Sequence, residues 1–187
     1  MDGDAAKPRA SCLPLGADPH MHVRPEEPAD ALAVRRINQT AFSSALEADI
    51  VEAIRKQEKS VVSLVADSNG QVVGHILFSP VSLSGKSKLR LMGLGPMAVL
   101  PSHQRKGIGS ALVREGLDRC REMACDAVVV LGHPEYYSRF GFVPASRYEI
   151  SCEYDVPDEV FMLLEFEPRS LEGVAGKVIY NEAFPSA

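Results

Sequence analysis

Gln104-Arg105-Lys106-Gly107-Ile108-Gly109-Ser110-Ala111, entered from Leu94-Gly95-Pro96-Met97-Ala98-Val99-Leu100, decides how this chain folds. An apolar, strand-like run ends, glycines allow a tight turn, and helical spacing begins at once through Ile108, Leu112, Leu117, Cys120 and Met123. Consecutive N–H groups in a glycine-containing turn form a concavity for anions, and a helix starting there adds the positive end of its dipole. Gly107 and Gly109 supply conformational freedom and close approach, and Arg105 and Lys106 add charge at the rim. The junction reads as a phosphate cradle.

Other phosphate motifs fit badly. A nucleotide P-loop needs glycine, an intervening run of four and then Gly-Lys-Ser/Thr, which is absent. The dinucleotide fingerprint needs glycine or alanine where this chain has Leu112. A bare Gly-x-Gly also serves as a plain strand–helix turn, so the surrounding chain has to decide.

Upstream, His22–Arg24 leaves room for a short strand, and Pro25–Asp30 is rich in helix-start signals. Leu32, Val34, Ile37, Ala41 and Phe42 then recur near helical spacing, and Ala45–Lys56 repeats the pattern. Ser60–Ala66 and Gln71–Phe78 read as strands around the hairpin turn Asp67-Ser68-Asn69-Gly70. Pro80–Lys88 reads as a polar loop, and Leu89–Leu100 as a long strand bent by Gly93, Gly95 and Pro96. Downstream, Asp126–Leu131 suits a buried parallel strand, and Gly132–Glu135 opens a short helix. Tyr148–Tyr154 and Val160–Phe166 read as two closing strands around a turn, and Pro168–Ala187 is weakly patterned. The order β-α-α-β-β-β-α-β-α-β-β predicts an α+β (mixed α/β) fold. Its sheet is mixed, mostly antiparallel and flanked by helices, with one right-handed crossover.

The chain has 187 residues, 45% hydrophobic, enough for one domain with a real core. Residues 1–20 hold Pro8, Pro14, Gly16 and Pro19 and lack a signal-peptide core, so they read as a disordered leader before one domain over 21–187. A net charge of −5 argues against a general nucleic-acid binder. No apolar run reaches the ~18 residues of a membrane span, and the expected compartment is the cytosol. Cys12, Cys120, Cys125 and Cys152 form no CxxC pair, so no metal site is expected; Cys120 falls on the apolar side of its helix.

The second informative stretch is Tyr136-Tyr137-Ser138-Arg139-Phe140-Gly141-Phe142, directly after the second parallel strand. Parallel neighbours set their C-terminal ends side by side, so this stretch and the cradle can share one crevice. With these residues the chain resembles the GNAT superfamily of N-acetyltransferases. Gln104–Gly109 matches that family's Gln/Arg-x-x-Gly-x-Gly/Ala loop, Pro96–Val99 its preceding strand, and Tyr137, four residues before Gly141, its tyrosine. The tandem-tyrosine form looks most like a bacterial branch, and the likeness covers roughly residues 22–167.

The resemblance implies an acetyl-CoA site without metal. Backbone amides of Gln104, Arg105, Lys106, Gly107, Ile108, Gly109 and Ser110 would hold the pyrophosphate, and the strand around Met97, Ala98 and Val99 the pantetheine arm. It makes Tyr137 the expected general acid, with Tyr136 in reserve, and an N–H near Val99 the thioester oxygen's donor. The family's asparagine after the second parallel strand is replaced by Gly132-His133-Pro134-Glu135. Glu135, Glu153 and His133 all remain open as the base. His75 reads as a core histidine and His103 as a turn residue, while Lys86, Lys88 and Arg90 form a basic patch that could meet the adenosine 3′-phosphate. The expected function is acetyl transfer to a primary amine of a small molecule or protein; the alternative is a non-catalytic acyl-CoA sensor. An antiparallel C-terminal hairpin offers a surface for a homodimer.

Overall fold

The computed structural model describes residues 20–85 and 88–185. All of the expected leader but His20 lies outside them, as do Cys12 and Lys86 of the basic patch. In chain order the elements are β1 (Met21–Pro25), α1 (Ala31–Phe42), α2 (Leu46–Gln57), β2 (Val62–Ser68), β3 (Gln71–Leu83) and β4 (Leu91–Val99). Then follow α3 (Ile108–Glu122), β5 (Ala127–Leu131), α4 (Pro134–Tyr137), β6 (Val143–Pro144), β7 (Ile150–Cys152), β8 (Phe161–Glu165) and β9 (Gly176–Ile179). The sheet runs β1-β2-β3-β4-β5-β8-β6, antiparallel except for β4 against β5. None of the helices in the described residues is long and apolar enough to cross a membrane.

The β2–β3 turn follows its sequence. Asn69 and Gly70 take φ of 56° and 79°, the doubly positive geometry of a two-residue hairpin, and Asp67 Oδ1 accepts from the Gly70 N–H at 2.8 Å. Two other regions differ from the sequence reading. The expected loop at Pro80 is strand: β3 continues to Leu83, pairing Pro80 and Val81 with β4 and Ser82 and Leu83 with β9. The partner β9 comes from the weakly patterned tail. Nor do the closing strands form a hairpin. β8 enters between β5 and β6, while β7 pairs in parallel with β9, so the expected dimer-forming hairpin is not made.

One face of the sheet is covered by α3, where Ile108, Leu112, Val113, Leu117 and Cys120 pack against Phe78, Leu94, Val128 and Val130. The approach is close at Gly116: a Cβ there would lie 2.1 Å from Phe78 Cε2. The other face is covered by α1 and α2 over Val65 and Leu77, and by the β7–β9 unit over Val81, Leu91 and Val129.

Beneath α1 and α2 sits a buried polar cluster. Asn38 Nδ2 donates to Val34 O at 2.9 Å and faces His75 Nδ1 at 3.2 Å, so that nitrogen is the acceptor and Nε2 carries the proton. Nε2–H then reaches Ser63 Oγ at 3.0 Å, whose hydroxyl donates to Glu26, and Arg55 pairs with the same carboxylate. Burial pushes the His75 pKa below its ordinary 6.5, outweighing the pull of Glu26. Burial also pushes Glu26 up, but its bonds from His75 and Ser63 and the charge of Arg55 win, and its pKa lies below 4.5.

The unfolded chain therefore takes up a proton near pH 6.5 that folded His75 refuses. The stability this gives is complete above pH 6.5 and drains away as pH falls toward the depressed folded value. Urea midpoints should drop between pH 7.5 and 5.5, and His75→Gln should flatten that drop. An unchanged slope in the variant would assign the acid sensitivity elsewhere.

Candidate active site

The site begins where two parallel strands separate. β4 and β5 pair from Leu91↔Ala127 to Leu94↔Val130 and no further. β5 stays with β8, through Leu131↔Phe161 and Gly132 N–H to Val160 O at 2.9 Å. β4 stays with β3, through Met97↔Ile76, Ala98↔His75 and Val99↔Gly74. The Leu100 N–H donates to Val73 O on the β3 side at 2.9 Å. Strand alternation then turns the N–H and C=O of Val99 and Met97 the other way, into the gap. There Gln104 Nε2 already donates to Val99 O at 3.1 Å.

Beyond β4 the chain turns through Pro101–His103 and an extended Gln104, with positive φ at Arg105 (60°) and Gly107 (83°). Helix α3 begins at the next residue. Its first turn closes with Ala111 N–H to Gly107 O at 3.0 Å, so the N–H groups of Ile108, Gly109 and Ser110 have no acceptor within the helix. No side chain caps them, and the first turn holds no acidic residue. At this end of the helix Gly107, Gly109 and Ser110 line a cleft of about 450 Å³.

Of the expected binding residues, Met97, Val99, Gln104, Arg105, Gly107, Gly109 and Ser110 line this cleft. Lys106 is exposed beside it. Ala98 and Ile108 are buried, Ala98 opposite His75 and Ile108, the first residue of α3, in the core against the sheet. Sequence reasoning missed the part of Arg139 and took His103 for a plain turn residue; both line the cleft. For Arg139 a signal existed: it follows Tyr136 by three residues, a helical neighbour, and its Nε donates to Tyr136 O at 3.1 Å.

The tyrosines divide as their helical offset requires. Tyr136 lines the cleft beside Ser110; its hydroxyl lies 2.8 Å from where a Cβ on Gly109 would be, and Arg139 stacks at 4.5 Å from its ring. Tyr137 is buried at the end of β5, against Phe142 and directly over Gly132, edge-on to Tyr136 at 5.0 Å. Burial, and then the neighbouring Tyr136, push the Tyr137 phenol well above the ordinary tyrosine range. Burial raises Tyr136 as well, against the opposing effects of Ser110, Arg139 and Arg114. Both hydroxyls hold their protons at neutral pH.

Among the proposed bases, His133 and Glu135 are exposed, and Glu153 accepts from the Tyr180 N–H at 2.6 Å. Lys88 and Arg90 precede β4, at the end of that strand away from the cradle. On the sheet face opposite α3, Ser79 pairs with Gly93, and the Tyr180 ring lies 3.1 Å from where a Gly93 Cβ would be. Among the described residues, the enclosed side-chain atoms without a partner are Asn38 Oδ1, Glu47 Oε2, Ser79 Oγ and the Tyr180 hydroxyl.

A parted β4–β5 pair feeding an uncapped helix start defines an acyltransferase-type fold, and the comparisons with known proteins agree. Residues 31–142 match the acetyltransferase (GNAT) family. The chain belongs to that family and is an enzyme of the N-acetyltransferase class. It is 37% identical over 165 residues to the uncharacterized N-acetyltransferase YhbS of Escherichia coli, covering 88% of this chain and 98% of that protein. The crystal structure of YhbS in complex with CoA superposes with a TM-score of 0.83 over 95% of each chain. A GNAT family acetyltransferase from Brucella melitensis in complex with acetyl-CoA gives a TM-score of 0.74 at 39% identity, over 89% of this chain and 99% of that one.

A Cβ at Gly132 would meet Tyr137 Cε2 at 2.3 Å, and the buried ring has little room to retreat. Gly132→Ala should lower unfolding stability by about 1–3 kcal/mol, the usual cost of overpacking, as read by urea denaturation. A neutral result would mean that the Tyr137 ring does not rest on this glycine.

Proposed function

We propose that the protein transfers an acetyl group from acetyl-CoA to a primary amine of a small molecule or protein. The carrying observation is the row of uncapped N–H groups at Ile108, Gly109 and Ser110, facing a cleft that continues along the free edge of β4. The residues fit the cosubstrate: a pyrophosphate needs clustered donors without a competing carboxylate, and an amide-bearing arm needs an unpaired strand edge. The complexes of the two relatives with CoA and acetyl-CoA support the same reading.

Acetyl-CoA supplies a thioester carbon that a neutral amine attacks; the C–N bond forms as the C–S bond breaks, the sulfur takes up a proton and the nitrogen gives one up to solvent. In this reading Gln104 through Ser110 bind the pyrophosphate, and Gln104 also braces Val99 O. The edge of β4 at Met97 and Val99, with Ala98 behind it, guides the arm toward the parting. The Val99 N–H faces the gap and is the donor for the thioester oxygen as charge builds there. Tyr137 stands at the end of β5, where an arm laid along β4 from the cradle would end, and serves as donor to the leaving sulfur. Its raised pKa keeps the hydroxyl protonated for that role. Tyr136, beside Ser110, acts as a wall of the cofactor cleft.

Release of CoA thiol in the presence of diamines, lysyl peptides and aminosugars tests the reaction. Tyr137→Phe should lower kcat by about 10²-fold or more while acetyl-CoA affinity stays within about twofold. Tyr136→Phe should instead change affinity more than kcat. Unimpaired turnover in Tyr137→Phe would remove its assigned role. Acetyl-CoA binding without turnover on any amine would favour the sensor alternative.

A further inference from the structure

The cleft does not end at Arg139. That side chain also lines a second groove of about 320 Å³ between α3 and the segment after α4, with Arg114, Asp118, Arg121, Phe140 and Leu164. Arg114 lies 5.5 Å and Arg139 5.6 Å from the centre of the Phe140 ring. Most of the neighbouring cations are neutralised: Arg121 pairs with Asp118 at 3.0 Å, and Arg119 with Glu115 and Glu122. Among the described residues, Arg114 and Arg139 form no ion pair with a carboxylate. The one carboxylate of the groove, Asp118, is engaged by Arg121, which leaves two unpaired guanidinium groups on one ring in a chain of net charge −5, a setting that favours an anion.

Its distance from the cradle selects the anion. Arg114 stands four residues beyond Ser110, about 6 Å further along the helix axis. That is within the span of a single nucleotide whose pyrophosphate rests on the uncapped N–H groups. Lys88 and Arg90, by contrast, precede the nine residues of β4. They stand roughly 27 Å or more from the cradle, beyond reach of the same nucleotide.

We propose that Arg114 and Arg139, held against Phe140, bind the 3′-phosphate of the coenzyme's adenosine and select the 3′-phosphorylated coenzyme over its dephospho form. This inference rests on the acetyl-CoA reading of the cleft. A phosphomonoester carries about −1.5 to −2 charge at neutral pH and three acceptor oxygens, a match for paired guanidinium forks. Phe140 supplies a flat apolar surface between the phosphate and the adenine side of the groove.

The test is calorimetric titration of acetyl-CoA and 3′-dephospho-acetyl-CoA into wild type, Arg114→Gln, Arg114→Gln/Arg139→Gln and Lys88→Gln. Arg114, Arg139 and Lys88 are exposed, so the variants should keep the fold. Wild type and Lys88→Gln should bind the 3′-phosphorylated ligand at least about tenfold more tightly. Arg114→Gln should lose part of that preference without changing the dephospho affinity, and the double variant should lose it all. Equal binding of both ligands by wild type, or a preference that survives in the double variant, overturns the proposal. Binding of neither ligand by wild type overturns the acetyl-CoA reading itself, and this inference with it.

Discussion

The architecture depends on a conflict over hydrogen bonds. β4 has a neighbour on each side as far as Leu94, and beyond it only β3. A buried strand edge without partners is costly, since each unpaired backbone group loses its water. Here the vacancy coincides with the start of α3, so two sets of unsatisfied backbone groups face one cleft. Uncommitted donors of this kind suit a ligand that is itself rich in acceptors and amides. The same residues would be a defect in a protein with nothing to bind there.

Holding that gap open falls to packing on both faces of the sheet. On one face, glycine lets α3 lie closely on Phe78 at position 116, and Gly74 lies 3.1–3.2 Å from Leu112 and Ile108 at its Cβ position. These close contacts fix the helix axis, and so the direction in which the N–H groups of Ile108, Gly109 and Ser110 point. On the other face, the Asn38–His75–Ser63–Glu26 chain ties α1 to β2 and β3 behind the free edge at Ala98. Replacing either support moves the donors without touching the cleft, so changes in binding can arise far from the ligand.

The junction between β4 and α3 was legible because its constraints are local. A strand, a positive-φ glycine and an immediate helix start are each written in adjacent residues, and Gly107 takes φ of 83° as its place requires. The central element order was legible for the same reason. What escaped depends on distant partners. β9 buries only Val178 fully and shows no usable pattern, yet it turns Ser82 and Leu83 from loop into strand. The β7–β8 hairpin looked natural from chain proximity, but β8 finds longer pairings with β5. Adjacent positions on a helix must diverge, and only the packing of Tyr137 on Gly132 shows which tyrosine turns inward. Positive φ at Arg105 had no signal at all, since arginine does not advertise it.

The most direct test of the central claim is calorimetry of acetyl-CoA with wild type and with a Gly107→Glu/Gly109→Glu variant that retains its fold. The side chains would put bulk and negative charge where the uncapped N–H groups now face the cleft. The account predicts binding in the micromolar range by wild type and none by the variant. Equal binding by both, or no binding by folded wild type, would contradict it.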